Sequence, residues 1–502
     1  MTLYDSFIEE VRTQSRIGLI QGLLGWDQEV LMPPAGAQAR AETMAWLSGQ
    51  AHQRLTDAAF GEMITALEEQ ADSLDEDQET NVREMRRAYD QATKLPTEFV
   101  ERFTRTCSEG MQIWQEARQK SDFSIFQPML EQLVDLARQK IAYLDPKQTP
   151  YDTLLDDYEV GLTTEYLDPL FDGLRGGLID LLERIEAAKS AAGETPLLPE
   201  GLSYPISDQE AFCASISEQM GFDFDAGRMD PSTHPFSITI AQGDARITTR
   251  YDESDPFSCL YAVLHETGHS LYEQGLPAMH AMTPRGEAIS LGVHESQSRL
   301  WENQIGRTQQ FWEFALPRFR QAFPDFPDDI GPAQMNLIAN RVEPSFIRVE
   351  ADEVNYNLHV MLRYEIEKRL FNGDLAVADL PQAWNELFER WFGIAIEDDA
   401  NGVLQDVHWS MGAFGYFPTY TLGNLYAAQL FSKMQQDLPD IEERIASGRW
   451  SGILSWLRER IHEKGRLLMP AALIEDATGK PPSPEPFLDY LEEKYGRIYA
   501  LG

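Results

Sequence analysis

Apolar positions between Leu3 and about Leu31 recur every three or four residues, the spacing of a helix with one buried face. The run stops at Pro33–Pro34, where a helix cannot continue. The same period predicts helices over Gln38–Leu55, Asp57 to about Ala71, the stretch after Pro96 to Lys120, Ser124–Tyr143, Thr163–Ala192 and Ser207–Met220. Asp72–Leu95 is so densely charged that it reads as a solvent-facing helix, its acidic start favoured by the helix dipole. Ala191–Pro205, rich in Gly and Pro, is the one plausible linker, and it serves equally well as a long loop inside one helical domain.

From His234 to Asp252 the period changes to two. Phe236, Ile238 and Ile240 alternate with other residues, as do Ala245, Ile247 and Thr249, and Gly243–Asp244 sits at the reversal. That is a β-hairpin, which either supports the helix after it or offers a strand for an extended peptide to pair with. A helix follows over Asp255–Gly275, with Asp255 as N-cap, Pro256 in the first turn and Gly275 as the stop. Glu287–Arg307 reads as another helix, followed by helices through Glu313–Arg320, Pro332–Ala339 and about Phe346–Phe371. Gly402–Asn424 mixes Gly, aromatic and polar residues in a way that suits the wall of a site better than a core. Beyond it the chain is helical to its end, with a Pro-rich loop before the last helix.

The Asp255–Gly275 helix contains HETGH. His265 and His269 lie one turn apart on one face, so both imidazoles can reach a single Zn²⁺. Glu266 then stands beside the metal as general base for its bound water. The bland alternative is two ordinary histidines on an ordinary helix. Against it, the chain has only 9 His, and this pair is flanked by Tyr261, Val263, Leu264 and Leu271. Glu295, on the following helix, is the obvious third ligand; the competing reading pairs it with Arg299 one turn on. Two imidazoles and one carboxylate leave a fourth position for water, which a structural site would lack. His294, next to Glu295, could donate a hydrogen bond to a ligand from outside the donor set, but its neighbouring position is expected to point it elsewhere on its helix.

Composition narrows the function. With 82 acidic and 42 basic residues the net charge is −40, which opposes binding to nucleic acid or to anionic membranes and fits a solvated acidic surface. The 3 cysteines, Cys107, Cys213 and Cys259, are scattered and suggest no disulfide framework or zinc knuckle, in keeping with a reducing compartment. Cys259 reads as a small buried hydrophobe. The N-terminus lacks the apolar core of a signal peptide, and no stretch approaches the roughly 20 apolar residues of a membrane span. The expectation is a soluble cytoplasmic protein.

Several stretches together carry a resemblance: WDQEVLMPPAG from Trp26, His234-Pro-Phe236, the DxRxT pattern over Asp244–Thr248, HETGH, HESQS from His294, IRVEAD over Ile347–Asp352, and GVLQDVHW over Gly402–Trp409. In this order the chain resembles the M32 metallocarboxypeptidases, the thermostable carboxypeptidase group. The resemblance implies a mainly α fold: one large helical domain over residues 1–502, with a deep active-site groove and a small hairpin or sheet beside the metal helix. A lid region would span about 1–195 and the metal site and groove about 205–502. It implies a homodimer and release of single C-terminal amino acids from peptides with a free C-terminus, with broad specificity. It implies one Zn²⁺ per chain, with Co²⁺ able to support activity. Arg348 of IRVEAD would bind the terminal carboxylate through its fork, although pairing with a nearby acid would explain it as well. Arg246 would hold substrate or brace the hairpin. His408 and Tyr420, with Tyr416 as alternative, would donate hydrogen bonds to the oxyanion. Gln405 and His234 would line the substrate site. Competing readings are an endopeptidase or dipeptidyl carboxypeptidase on the same groove, or a non-catalytic metal-containing peptide-binding protein.

Overall fold

In the computed structural model, which describes residues 2–192 and 196–501, the chain is mainly helical. The N-terminal part is built from α1 (Leu3–Val30), α2 (Ala37–Leu55), α3 (Ala58–Glu68) and α4 (Glu76–Lys94). Then come α5 (Thr97–Lys120), α6 (Phe123–Tyr143), α7 (Pro150–Leu155), α8 (Thr164–Ala192) and α9 (Ile206–Met220). Strands β1 (Gly227–Pro231), β2 (Phe236–Ala241) and β3 (Asp244–Thr249) precede α10 (Pro256–Gly275) and α11 (Leu291–Arg299). The rest is α12 (Gln309–Ala322), α13 (Pro332–Ala339), α14 (Glu353–Asn372), α15 (Leu380–Phe392), α16 (Pro418–Asp437), α17 (Ile441–Ser447), α18 (Ser451–Arg460), α19 (Pro470–Thr478) and α20 (Glu485–Ile498). Among the described residues no helix is long and apolar enough to cross a membrane. The proposed linker Ala191–Pro205 lies partly outside the described residues.

Apolar side chains collect in two places. One large core holds α6, α8, the metal-motif helix α10 and nearly everything after it. A smaller one, around Phe7, Phe60, Ile64 and Val82, is built from buried residues of α1, α3 and α4, with Leu55 of α2 packed against it. The solvent-facing assignment for α4 is therefore corrected. Val82 and Met85 are buried in that small core, and Asn81 accepts the Arg285 backbone N–H at 2.9 Å, tying α4 to the turn after α10. The charges masked a narrow apolar stripe that needs only one face of the helix.

The hairpin is present, with Phe236 opposite Thr248 and Ile238 opposite Arg246, and Gly243 takes the left-handed φ of +82° that the reversal requires. The sheet has a further member, in the order β1-β3-β2, because β1 pairs in parallel with β3. GRMDP has no alternation to announce a strand, so its place is set by the neighbouring strand. β2 is an edge strand, and the sheet lies along α10, where the hydroxyls of Ser237 and Ser270 meet at 3.0 Å.

Two other boundaries differ from expectation. The Phe346–Phe371 helix begins only at Glu353, where Asp352 caps it by accepting from the N–H groups of Val354 and Asn355. The preceding residues form a loop with a short 3-10 turn, Arg348–Glu350. Gly275 is the last residue of α10 rather than the residue after it, and a side chain there would collide with the His462 ring, 2.4 Å from an added Cβ.

Glycine decides how closely the site helices approach. A Cβ on Gly268, inside HETGH, would fall 2.7 Å from the Gln297 carbonyl oxygen and the Ser298 Cα of α11. A Cβ on Gly423 of α16 would fall 2.3 Å from Glu295 Cγ and 2.5 Å from its Cβ. The α11 helix is thus held between two helices that touch it backbone-first, α16 at Glu295 and α10 at Gln297 and Ser298. Gly423→Ala is expected to displace Glu295, to destabilise the fold by about 1–3 kcal/mol as overpacking does, and to abolish bound metal. Urea unfolding and metal content after dialysis measure the two effects.

Candidate active site

The α10 face bearing His265 and His269 turns to α11, and three donor atoms, one each from His265, His269 and Glu295, lie within 4.8 Å of one another. Glu295 Oε2 stands 3.5 Å from His265 Nε2 and 3.4 Å from His269 Nε2. Glu295 meets Arg299 and the histidines through different oxygens: Oε1 accepts from Arg299 Nε at 2.7 Å, and Oε2 faces the histidines. Arg299 and the histidines hold the Glu295 carboxyl well below the usual range although burial opposes this.

The outer ring nitrogens are occupied, which leaves both Nε2 atoms to face inward. His265 Nδ1 meets Glu302 Oε2 at 2.9 Å. Glu302 also accepts from Arg299 (3.2 Å) and Arg307 (3.1 Å). His269 Nδ1 meets His294 Nδ1 at 2.5 Å, so the expectation that His294 points away is overturned. Burial pushes the His269 imidazole down to about 3, so that it is neutral near pH 7. For His265 burial acts in the same direction, but Glu295 and Glu302 outweigh it and the net shift is upward. Two imidazoles and a charged carboxylate converging through inward-facing atoms fit a divalent metal with an open position. Glu266 is buried beside them, and loss of hydration pushes its carboxyl up to about 7.

A second buried cluster involves IRVEAD and GVLQDVHW. Asp406 Oδ1 accepts from Arg348 Nε (3.2 Å) and Nη2 (2.9 Å), and its Oδ2 accepts from Arg363 Nε (2.6 Å). Burial opposes the charge, but the two guanidinium groups hold the Asp406 carboxyl far below its usual range. Two cations on one anion leave the cluster with net positive charge. Arg348 Nη1 donates to the Tyr356 hydroxyl at 2.8 Å, and Arg299 lies over the face of the same ring, 4.4 Å from its centroid. Tyr356 therefore joins this cluster to the metal-donor cluster.

The family model of the carboxypeptidase Taq (M32) metallopeptidases matches residues 6–495. The chain belongs to this family. It is a metallocarboxypeptidase that releases C-terminal residues from peptide substrates. It is 44% identical over 508 residues to thermostable carboxypeptidase 1 of Thermus thermophilus, covering 99% of each chain. It is 38% identical over 500 residues to carboxypeptidase 1 of Bacillus subtilis, covering 100% of this chain and 99% of that one. Among solved structures, it superposes on an M32 carboxypeptidase from Deinococcus radiodurans R1 with a TM-score of 0.96 at 38% identity, covering 100% of both chains.

The remaining motif residues of this M32 carboxypeptidase fall into two groups. His408 Nε2 lies 3.2 Å from the Tyr420 hydroxyl, and burial lowers the imidazole to about 4, so it is neutral. Tyr420 stands one turn before Gly423 on α16 and therefore on the helix face that touches Glu295, and its ring lies 5.3 Å from that of Tyr416. Arg348, Tyr420 and Tyr416 thus border one region. The others are engaged elsewhere. Gln405 accepts the Arg348 backbone N–H at 2.9 Å and donates to the Phe346 (2.9 Å) and Asn401 (3.0 Å) carbonyls, pinning the Arg348 loop. Arg246 is held by both oxygens of Asp244, each at 2.7 Å, and stacks on Trp26 of α1 at 4.2 Å, which makes it a brace between hairpin and N-terminal helices. His234 is exposed, and its carbonyl accepts from Ser232 Oγ at 2.6 Å.

Sequence reasoning passed over Glu302, Asp406, Arg363 and Tyr356. Asp406 lies inside a quoted motif, and Glu302 is two turns beyond Glu295 on the same face, so helical spacing could have found it. The Cys213–Cys259 proximity (Sγ atoms 3.6 Å apart) depends on α9 packing along α10 and is invisible in sequence; Cys259 is buried as expected, and its thiol reaches Gln209 Oε1 at 3.0 Å. Glu266 also has a consequence for stability. Its folded carboxyl keeps a proton to about pH 7, whereas an ordinary Glu loses it near 4.5. The group therefore costs stability increasingly as pH rises between these values. In metal-free protein Glu266→Gln is expected to raise stability by about 3 kcal/mol at pH 8 and by little at pH 4.5. Urea unfolding with a chelator at both pH values checks this.

Proposed function

We propose that the metal is Zn²⁺, one per chain, held by His265, His269 and Glu295, and that the enzyme removes single residues with broad specificity from free C-termini. The observation that carries this reading is the pairing of two sites: a donor triad beside a buried Glu266, and, joined to it through Tyr356, a cluster of net positive charge containing Arg348. When bound, the metal supplies Lewis acidity to the scissile carbonyl and to water. The chain's residues do the rest. Buried directly beside the triad, Glu266 is placed to take a proton from the attacking water and return one to the leaving amine. Arg348 takes the terminal carboxylate while Asp406 keeps its guanidinium oriented. The Tyr420 hydroxyl, with His408 behind it, donates to the oxyanion, and Tyr416 borders the same wall. Gln405 shapes the Arg348 loop, Arg246 braces the hairpin, and His234 is at the outer rim of the groove. The edge strand β2 supports main-chain pairing with an extended peptide, which suits broad specificity.

The same reading places the enzyme in the cytoplasm as a homodimer, with Co²⁺ able to replace Zn²⁺. The N-terminal helices act as a lid over the part built from residues 205–502. Of the 1–195 region, α1, α3 and α4 have a core of their own, so lid motion would be confined to the first four helices and would have to break the Asn81–Arg285 and Arg246–Trp26 ties.

Mass spectrometry of a peptide pool, each member with free and amidated C-terminus, tests the reading. Single-residue ladders from free termini only, abolished by a chelator, are expected. Internal cuts or dipeptides from both forms would contradict it. Glu266→Gln is expected to keep the metal and lose at least about a thousandfold in kcat. Arg348→Met is expected to lower kcat/KM by about 30-fold or more, the value of a charge-assisted contact, and to narrow the preference for free over amidated termini.

A further inference from the structure

The outer side of His269 carries an arrangement that the hydrolytic chemistry does not use. His269 Nδ1 is 2.5 Å from His294 Nδ1, and His294 Nε2 is 2.9 Å from Glu273 Oε1. Each link holds one proton. A carboxylate only accepts, so the proton in the second link belongs to His294 Nε2. Where that is the ring's one proton, His294 Nδ1 is bare and accepts from His269. The proton of the first link therefore sits on His269 Nδ1, and His269 Nε2, facing Glu295 Oε2 at 3.4 Å, is left with a free electron pair. The ring of His294 is kept in place by the Tyr272 ring, 5.3 Å away, and Glu273 comes from the same helix as His269, one turn further on. His265 differs, because its Nδ1 reaches a carboxylate, Glu302, directly.

We propose that Glu273 and His294 are positioning residues that fix His269 in the tautomer presenting a bare Nε2, so that a carboxylate acts on this donor through an interposed neutral ring. The inference rests on reading His265, His269 and Glu295 as the metal ligands. Metal ligands depend on such outer partners for orientation and basicity, and loss of one typically weakens binding about 10- to 100-fold.

The test is titration of the metal-free protein with Zn²⁺ against a chromophoric chelator, together with the visible absorption of the Co²⁺-loaded protein. His294→Leu is expected to weaken Zn²⁺ binding about 10- to 100-fold and to shift the Co²⁺ bands. His294→Gln, whose amide offers an acceptor and a donor, is expected to recover most of the affinity. Glu273→Leu should weaken binding in the parent but add nothing in the His294→Leu background, while Glu273→Gln, which keeps an acceptor oxygen, stays near the parent. Urea unfolding of each metal-free variant reports whether it folds; if His294→Leu does not, the Glu273→Leu and Glu273→Gln pair decides. Parent-like affinity in His294→Leu or Glu273→Leu, or equal losses from Glu273→Leu in both backgrounds, would overturn the relay alone. A parent protein that binds no Zn²⁺ would overturn the ligand reading and the relay with it.

Discussion

Glu295 can sit between two histidines only because two neighbouring helices bring no side chain to the contact. Gly268 lets α11 press on α10, and Gly423 lets α16 press on α11 from the other side. Packed interiors do not deform continuously, so these contacts fix where the carboxylate sits. The same spacing brings His294 to His269 and Glu302 to His265. The HETGH spacing would be of little use on a helix that held α11 one side chain further away. The middle of the motif therefore has a role of its own: Gly268 admits the helix that completes the donor set.

Charge is the second organising element. Glu302 is shared by His265, Arg299 and Arg307, and Asp406 by Arg348 and Arg363, all buried or only partly exposed. Burying charges costs several kcal/mol per ion, and apolar replacements of such clusters are often as stable or more so. These networks are better understood as holding groups in place for a reaction than as holding the fold together. Glu266 follows the same logic, since burial makes it a less comfortable carboxylate and a better proton acceptor.

Much of this was legible in the sequence. The helical periods located most helices, Asp255 and Pro256 marked the start of α10, and HETGH with Glu295 gave the donor set. What escaped depends on contacts between segments distant in the chain. β1 is a strand because β3 lies beside it, and Arg348 lies in a turn rather than a helix because Gln405 fastens its backbone from another loop. His294 was misplaced because adjacent positions on a helix point about 100° apart, while here the Glu295 and His294 directions both meet α10, which wraps closely enough to be touched by each. The charge density of α4 concealed Val82 and Met85, because a short apolar stripe is easily outnumbered.

X-ray absorption at the metal edge of the Zn²⁺-loaded protein reads the donor set. One metal per chain is expected in a shell of two imidazole nitrogens and oxygen donors at about 2.0–2.1 Å, with the imidazole signal reduced by one ring in His269→Ala. A shell of six oxygens, a sulfur donor, or an unchanged spectrum in that variant would contradict it.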